Sequence, residues 1–526
     1  MFIAYYFGVL ICWMVLCHAA VLRKTDELDD ELSAFRNKFV RNKTTAEIEQ
    51  EKGKDFWRAS AIKALNDRLH QKLNLNPAKN VILFLGDGMS IPTIAATRVY
   101  LGGEEMHLSF ENFPYTGISK TYCVDHQTAD SACSATAFLG GVKANLGTVG
   151  VTAAVEKKNC TAMNLPENQV DSVAKWFQEC GKRTGFVTTT RVTHATPSAL
   201  YAHSAERHWE VDTDVINDGR NSSICSDIAY QLVFGGTGRK LDVIMGGGRQ
   251  LFLPMEWTDE EGFAGKRSDK LNLIDEWMNQ RQGLGAKFEY AWNRAQLLNV
   301  SNDTQYLLGL FEPQHMQYNL MRNIETDPSL EEMTEAAIKV LNKGDSGFFL
   351  LVEGGRIDTA HHSSWAHKAL DETAEFSKAI AKAVELTNEE DTLIVVTSDH
   401  AHTMSYAGYA ARGSDVFGYA GTASDDKYYS ILNYANGPGY KPMSDLGDRY
   451  VPSEEEMNDV HFSFPSTTPM KSETHGADDV PIYARGPWAH LFTGVMEENV
   501  IPYLMAYAAC LSRGAECGSY LKKLRV

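Results

Sequence analysis

The sequence predicts an α/β fold built on a mainly parallel central sheet that is flanked by helices. Two observations predict it: continuous apolar runs recur along the chain, and stretches of helical periodicity lie between them. Strands that are buried on both faces of a sheet have such runs, and alternating strands and helices are typical of a parallel sheet. The apolar runs are residues 81–85, 185–187, 241–245, 348–352, 393–396 and 480–483.

Helices are predicted at residues 55–73, 329–343 and 366–387, and a loop-rich insertion is predicted near 405–472. In the first helix, apolar residues recur every four positions from Trp57 to Leu73, which indicates an amphipathic helix. Residues 405–472 are rich in Gly, Ser, Tyr and Asp. This composition favours an inserted subdomain made mostly of loops.

The composition excludes several classes of protein. The chain has 526 residues, of which 44% are hydrophobic and 22% charged, and its net charge is −18 at pH 7. These proportions are typical of a soluble globular protein and argue against disorder. Because no basic stripe is present, we expect no nucleic-acid partner.

The two ends of the chain indicate the secretory pathway. Residues 1–20 form the one long apolar run, which predicts a signal peptide cleaved near Ala19 or Ala20. Retention as a membrane anchor is the alternative, because no Lys or Arg precedes the run. Residues 21–50 are expected to be an acidic, exposed arm or pro-segment. Residues 519–526 are a basic tail without the apolar segment of a lipid-anchor signal, so we expect a secreted protein with no lipid anchor.

Sequons and cysteines agree with an oxidising compartment. Five glycosylation sequons begin at Asn42, Asn159, Asn221, Asn299 and Asn302. Of the nine cysteines, Cys510 and Cys517 are spaced to close a small loop, and Cys160 with Cys225 a larger one. The sequence leaves this connectivity open. Cys123, Cys133 and Cys180 are expected to be buried thiols.

Acidic residues follow three of the predicted strands. Asp87 follows the run 81–85, Glu353 follows 348–352, and Asp399 with His400 follows 393–397. Ligands of open α/β sheets bind at the carboxyl ends of the strands. Carboxylates that lie close together repel one another unless cations separate them. The sequence therefore predicts a metal site at this edge of the sheet.

The run 353–362 has the spacing of paired metal ligands. Asp358 and His362 are four residues apart, so one turn of helix would place both on one face. Further imidazoles lie at His400, His402 and His475. His and Asp ligands without a thiolate suit catalytic zinc, whereas Asp87, Glu353 and a hydroxyl would suit a hard cation such as magnesium.

Ser131 is the candidate nucleophile. Small residues follow it up to Phe138, which predicts that a helix begins near Ser131. Free N–H groups at a helix N-terminus bind phosphate, and a zinc ion on the hydroxyl oxygen would lower its pKa. The alternative, a helix N-cap at Asp130 or Ser131, is compatible with this role.

These motifs resemble the animal branch of the alkaline phosphatase family. The resemblance covers about residues 50–518 and is carried by residues 84–89, 188–197, 201–203, 246–249, 352–358, 399–400 and 474–476. It implies an alkaline-phosphatase-like domain at 51–518, with 405–472 as its surface crown and 55–73 as an arm of a homodimer. It implies hydrolysis of phosphate monoesters through a phosphoserine.

The resemblance also implies a role for individual residues. It implies a first zinc on Asp358, His362 and His475, a second on Asp87, Asp399 and His400, and magnesium on Asp87, Thr196 and Glu353. It implies that Arg207, oriented by Asp130, binds two phosphate oxygens, which suits the planar guanidinium. A calcium ion is implied at Glu261, the Phe311 carbonyl, Glu312 and Asp327. His194, His361 and His402 are expected directly behind the metal ligands.

Two other functions remain open from the sequence. A phosphodiesterase or sulfatase of the same superfamily would use a similar metal site. A non-catalytic surface glycoprotein would keep the fold as a binding platform, but such a protein is expected to have lost metal ligands or the nucleophile. Because every expected residue is present, the sequence favours the phosphomonoesterase.

Overall fold

The computed structural model of the chain describes residues 45–511, which divide into two compact units. The first includes residues up to His70 together with Arg98–Met106 and Ala411–Asp415, and the second contains the remaining described residues. The predicted signal at 1–20, Asn42, Cys517 and the tail at 519–526 lie outside the described residues.

The first unit contains two helices, α1 (Thr45–Glu51) and α2 (Lys54–Leu69). The predicted helix at 55–73 is thus present but ends four residues earlier. No residue of α2 is buried, so its apolar positions are exposed to solvent in this chain. Within the same unit, the Arg412 guanidinium forms ion pairs with Glu51 at 2.6 Å and with Glu105 at 2.9 Å.

The strands of the described chain are short and distributed over its whole length. They are β1 (Asn80–Gly86), β2 (Tyr115–Lys120), β3 (Arg183–Arg191), β4 (Val243–Gly247), β5 (Phe288–Ala291), β6 (Tyr306–Leu310), β7 (Phe348–Gly354), β8 (Thr392–Thr397), β9 (Ala401–His402), β10 (Met404–Tyr406), β11 (Tyr419–Thr422), β12 (Tyr428–Ser430), β13 (Leu432–Gly437), β14 (Ser466–Pro469), β15 (His475–Gly476), β16 (Val480–Arg485) and β17 (Gly494–Glu497).

Helices connect these strands. They are α3 (Ile91–Leu101), α4 (Ser131–Gly140), α5 (Cys160–Met163), α6 (Val173–Glu179), α7 (Ala195–Ser198), α8 (Asp212–Asn217), α9 (Ile228–Phe234), α10 (Leu273–Gly283), α11 (Arg294–Leu298), α12 (Leu330–Leu341), α13 (Arg356–His362), α14 (Ala366–Leu386), α15 (Glu454–Asn458) and α16 (Ile501–Ala508). The predicted helices at 329–343 and 366–387 correspond to α12 and α14.

The second unit is built on a ten-stranded sheet with the order β17-β2-β16-β8-β1-β7-β3-β4-β6-β5. Nine of these strands run in one direction, and β16 runs opposite to both of its neighbours. All residues of β1, β7 and β8 are buried, as their continuous apolar sequences require. The α/β prediction with a mainly parallel sheet is confirmed, and its centre is β1 between β7 and β8.

The region 405–472 contains short strands and one five-residue helix. Strands β10, β13 and β14 form a three-stranded sheet, and β11 pairs with β12. Helix α15 lies between β13 and β14 in sequence. This structure agrees with the expected loop-rich composition, while its designation as an inserted crown stays a prediction.

The cysteines differ in part from expectation. A disulfide joins Cys160 to Cys225, the wider of the two loops considered. Cys123 and Cys133 also form a disulfide, so the expectation of two buried thiols is wrong. These two residues are 10 positions apart in sequence and are packed together in a small buried cluster. Cys180 is a free thiol but is exposed rather than buried.

The surface of the described chain bears four of the predicted sequons. Asn159, Asn221, Asn299 and Asn302 are all exposed. The helices in residues 45–511 include none with the length and apolar character needed to cross a membrane.

Candidate metal centre and nucleophile

Three carboxylates meet at the carboxyl edge of the central sheet because β1 runs between β7 and β8. Leu85 of β1 is level with Glu353 in β7 and with Thr397 in β8. Asp87 directly follows β1, and Asp399 follows β8 by two residues. All three carboxylates are fully buried. The prediction from the strand ends therefore matches the arrangement of these side chains.

Burial and mutual repulsion change the protonation of this cluster. Burial, followed by the charge of Asp399, raises the pKa of Asp87 well above its usual range. Burial likewise raises the pKa of Glu353 to about 7, with a contribution from Asp399. Cations between such carboxylates would offset both effects. The cluster thus has the electrostatic character of a metal site.

The first group of donor atoms converges on Asp358. Helix α13 places Asp358 and His362 one turn apart, and His362 Nε2 lies 3.3 Å from Asp358 Oδ1. His475 Nε2, from β15, lies 3.2 Å from that oxygen and 3.2 Å from His362 Nε2. Two imidazoles and a carboxylate at this separation are a ligand set that suits zinc.

The second group contains Asp87, Asp399 and His400, and it includes the hydroxyl of Ser131. His400 Nε2 lies 3.5 Å from Asp87 Oδ1 and 3.2 Å from Asp399 Oδ2. Ser131 Oγ lies 3.3 Å from His400 Nε2 and 3.4 Å from each carboxylate oxygen of Asp87. The candidate nucleophile is therefore in contact with candidate metal ligands.

The three imidazoles of the candidate ligands are oriented by backbone carbonyl groups. The Nδ1 atoms of His362, His400 and His475 lie 2.5, 3.3 and 2.7 Å from the carbonyl oxygens of Glu473, Ala401 and Ala129, respectively. An Nδ1–H that donates to a carbonyl leaves Nε2 unprotonated, which is the form that binds a metal. Burial also lowers the pKa of His400 well below its usual range, so the neutral ring is favoured.

The third group consists of oxygen donors. The Thr188 hydroxyl donates to Glu353 Oε2 at 2.5 Å and thereby fixes this carboxylate. The other oxygen, Glu353 Oε1, and the hydroxyl oxygen of Thr196 on α7 are buried and have no hydrogen-bond partner. Buried polar atoms of this kind require an explanation. A hard cation bound by Asp87, Thr196 and Glu353 would satisfy both atoms.

Of the three histidines expected behind the ligands, His402 contacts the candidate ligand Asp358, whereas His361 contacts two hydroxyl groups. His402 Nε2 lies 2.9 Å from Asp358 Oδ1, and His402 Nδ1 lies 2.6 Å from Glu473 Oε2. Burial opposes charging of this ring, but the two carboxylates raise the pKa of His402 to about 10. His361 lies 3.0 Å from the Thr93 hydroxyl and 2.9 Å from the Tyr434 hydroxyl.

Glu473 contacts two histidines of the candidate site, and sequence reasoning assigned it no role. Its side chain accepts from the N–H and the hydroxyl of Thr403, both at 2.6 Å, and it faces His402. Its carbonyl oxygen orients His362. In the sequence, the one indication of Glu473 is its position two residues before His475. This position indicates that Glu473 is near the site but does not indicate a specific role.

Helix α4 begins at Ser131, and the whole helix is buried. Asp130 is its N-cap, since Asp130 Oδ1 accepts the N–H of Cys133 at 3.2 Å. The two alternatives weighed from the sequence are thus compatible: Asp130 caps the helix, and Ser131 is its first residue. The N-terminus of α4 is turned to the donor atoms that surround Ser131 Oγ.

Arg207 lies beside this helix start. Its Nη1 atom donates to Asp130 Oδ2 at 2.9 Å, and its Nη2 atom lies 3.2 Å from His194 Nε2. Burial opposes the charge of Asp130, but Arg207 and backbone N–H groups lower the pKa of this carboxyl below its usual value. The pair is therefore ionised, with a guanidinium held next to Ser131.

The residues expected to bind calcium are brought together only in part. Burial, Asp327 and Glu261 raise the pKa of Glu312 to about 7, so the charges of these two carboxylates act on Glu312. Phe311 directly follows β6 and precedes Glu312. Glu261, however, forms an ion pair with the Arg249 guanidinium. Among the carboxylates, imidazoles and thiols of residues 45–511, no cluster of three donors includes these acids.

Comparisons with known proteins agree with the geometry. A family model described as alkaline phosphatase matches residues 78–511. The membrane-bound alkaline phosphatase of Bombyx mori is 43% identical over 508 residues, which covers 94% of this chain and 92% of the relative. The tissue-nonspecific alkaline phosphatase isozyme of Homo sapiens is 46% identical over 485 residues, which covers 89% of this chain and 91% of the relative.

A solved structure supports the fold independently. It is a mutant of the alkaline phosphatase of the Antarctic bacterium TAB5 with magnesium bound in its M3 site. The superposition covers 84% of this chain and 100% of the chain in that structure, with a TM-score of 0.58 and 22% sequence identity.

Proposed function

The chain belongs to the alkaline phosphatase family, and from this premise we propose that it hydrolyses phosphate monoesters through a covalent intermediate on Ser131. The observation that carries the proposal is the position of Ser131 Oγ. It lies at the start of a buried helix and within 3.4 Å of Asp87 and His400. Arg207 is held beside it by the neighbouring Asp130.

We propose three catalytic metal ions. Asp358, His362 and His475 hold the first zinc, and Asp87, Asp399 and His400 hold the second. Asp87, Thr196 and Glu353 hold magnesium, which fits the oxygen donors and the unpaired atoms of Thr196 and Glu353. A mutant of a structurally similar alkaline phosphatase binds magnesium in its M3 site. Bound metal ions at such a site neutralise phosphate charge and lower the pKa of a hydroxyl or of water.

The residues of the chain perform the positioning. Arg207 donates two hydrogen bonds to oxygens of the phosphoryl group, and Asp130 keeps the guanidinium in place. Ser131 Oγ attacks phosphorus as the alcohol oxygen leaves, and a phosphoserine forms. Water then attacks the phosphoserine from the side of the departed alcohol, which releases inorganic phosphate and restores the Ser131 hydroxyl. Removing one hydrogen-bond donor that stabilises charge in the transition state, such as Arg207, typically raises the activation free energy by about 3–4 kcal/mol.

The test is hydrolysis of p-nitrophenyl phosphate by the purified chain before and after EDTA treatment. We expect turnover that EDTA abolishes and that zinc with magnesium restores. A phosphodiester and a sulfate ester of p-nitrophenol serve as controls on the same preparation. Faster hydrolysis of either ester would favour the diesterase or sulfatase. No turnover by folded, metal-loaded protein would contradict the enzyme assignment.

A structural calcium ion is part of this proposal. The Phe311 carbonyl, Glu312, Asp327 and Glu261 are its ligands, which the effect of Asp327 and Glu261 on the pKa of Glu312 supports. Calcium is expected to raise the Tm of chelator-treated wild type and to have less effect on Asp327→Asn. An equal rise in both proteins would argue against the site.

We further propose a secreted, glycosylated homodimer. The apolar residues 1–20, the exposed sequon asparagines and the Cys160–Cys225 disulfide support the secretory pathway. Treatment with an N-glycosidase should lower the mass of protein from secreting cells, and sedimentation should give twice the chain mass. An unchanged mass would refute glycosylation. A monomer at micromolar concentration would refute the homodimer.

A further inference from the structure

The Cys123–Cys133 disulfide closes a loop that ends inside the candidate active site. Cys123 lies in the irregular segment after β2, and Cys133 is the third residue of α4. Both are almost fully buried, in a small cluster with Ala129, Ala144 and Leu146. The bond therefore ties the segment that leads to Ser131 to the first turn of the helix that begins with Ser131.

Three consecutive residues of this loop each supply an atom to the site. The carbonyl oxygen of Ala129 accepts from His475 Nδ1 at 2.7 Å. Asp130 pairs with Arg207 at 2.9 Å. Ser131 supplies the hydroxyl. A zinc ligand, the phosphate-binding arginine and the nucleophile thus all depend on the backbone position of residues 129–131.

The rest of the loop has a surface position. Residues 124–127 are exposed and belong to no helix or strand. The segment is held by the N–H of Val124, which donates to Ala144, and by Asp125, which accepts from the N–H of Leu146. A segment of this kind samples more conformations when its ends are not joined covalently.

We propose that the Cys123–Cys133 disulfide is a positioning element of the active site, which holds Ala129 against His475 and Asp130 against Arg207. This inference rests on the proposed function of Ser131. Loss of the bond leaves the central sheet intact but displaces residues 129–131. Because displacement by about 1 Å at a reacting centre can cost about 100-fold in rate, the loss is expected in turnover, in phosphate binding and in zinc retention.

The test compares two double variants of the full-length, metal-loaded protein. Cys123→Ser/Cys133→Ser removes the bond near the site, and Cys160→Ser/Cys225→Ser removes a second disulfide as a matched control. We expect the first variant to lose at least about tenfold in kcat, to be inhibited less by inorganic phosphate and to release zinc to a chelator faster. The control should have a lower Tm but wild-type kcat, phosphate inhibition and zinc retention.

The outcomes separate this proposal from the proposed function. If wild type is active and Ser131→Ala inactive, while Cys123→Ser/Cys133→Ser matches wild type in all three readouts, the positioning role alone is overturned. If wild type has no turnover, the proposed function fails, and the rate of zinc release still tests the contact between Ala129 and His475. Equal effects of both double variants would indicate a general loss of stability and overturn the proposal.

Two further measurements keep the test decisive if the first variant does not fold. Alkylation of denatured, unreduced wild type followed by peptide mass spectrometry should find Cys123 and Cys133 unmodified, and labelled thiols there would refute the bond. Wild type is then reduced with a phosphine in mild denaturant, alkylated and returned to buffer. Activity should fall in proportion to labelling of these two cysteines, and full activity after complete labelling would overturn the proposal.

Discussion

Asp130 binds Arg207 through one carboxylate oxygen and caps helix α4 through the other. Oδ2 accepts from Arg207 Nη1 at 2.9 Å, while Oδ1 accepts the N–H groups of Cys133 at 3.2 Å and Gly147 at 3.0 Å. The direction of the guanidinium and the start of the helix that carries Ser131 therefore depend on the same side chain.

Two substitutions of Asp130 should separate these roles. Asp130→Asn keeps an oxygen for the helix cap but removes the charge that binds Arg207, and losing a hydrogen bond to a charged group costs about 1.5–3 kcal/mol. We expect inhibition by inorganic phosphate to weaken about tenfold or more with little change in Tm. Asp130→Ala should also lose about 1 kcal/mol of unfolding free energy through the cap. Unchanged phosphate inhibition in both variants would contradict the role of Asp130.

Ser131→Ala should abolish turnover without unfolding the protein. Removing a nucleophile of this type costs several orders of magnitude in kcat, about 10⁶-fold in one well-studied hydrolase. The alanine keeps the helix because Asp130, not Ser131, is its N-cap. Assays with p-nitrophenyl phosphate and a thermal melt check both parts, with Ser134→Ala on the same helix as the control. Activity near wild type would rule out Ser131 as the nucleophile.

Glu473→Gln should weaken zinc binding. The carboxylate faces His402 and accepts from Thr403, and His402 in turn contacts Asp358. Partners that orient metal ligands typically contribute about 10–100-fold in metal affinity. Competition with a chromogenic chelator measures the effect, and Glu455→Gln, an exposed site, serves as the control. Equal zinc affinity in both variants would show that Glu473 has no such role.

Glu372 should make the protein less stable as the pH rises. Burial, with repulsion from Asp371, raises the pKa of Glu372 to about 8, although Asn319 donates to it. The folded state then binds more protons than the unfolded state between the ordinary carboxyl pKa and about 8. Stability falls with rising pH across that window, by at most about 1.4 kcal/mol per pH unit.

Glu372→Gln removes this dependence and keeps an oxygen that can accept from Asn319. Its gain in unfolding free energy over wild type should therefore be small near pH 5 and grow towards pH 8. Urea denaturation at several pH values measures it. A difference that does not change with pH would mean that Glu372 is not protonated in the folded protein.

Much of the site could be predicted from the sequence because strand ends and helical spacing are local signals. The apolar runs place Asp87, Glu353 and Asp399 at one edge of a parallel sheet, and the four-residue spacing places Asp358 and His362 on one helical face. The same reasoning predicted Ser131 at the start of a helix. The structure contains each of these features.

Other features depend on tertiary contacts that leave no pattern in the local sequence. Arg207 has no local signal, and its position follows from Asp130, which is 77 residues away in sequence. Glu473 orients two histidines through tertiary contacts. The Cys123–Cys133 bond depends on how the segment before α4 folds back on that helix. Neither periodicity nor spacing encodes such contacts.

The strand order of the sheet also determines when during synthesis the site can exist. Asp87 follows the first strand of the sheet, whereas His475 precedes the last two, and the remaining donors are spread between them. A ribosome must therefore deliver nearly the whole chain before the donor set is complete. Because metal affinity depends on that complete set, loading of the proposed zinc ions would be a late event of maturation, and prematurely terminated chains would leave the ribosome without them.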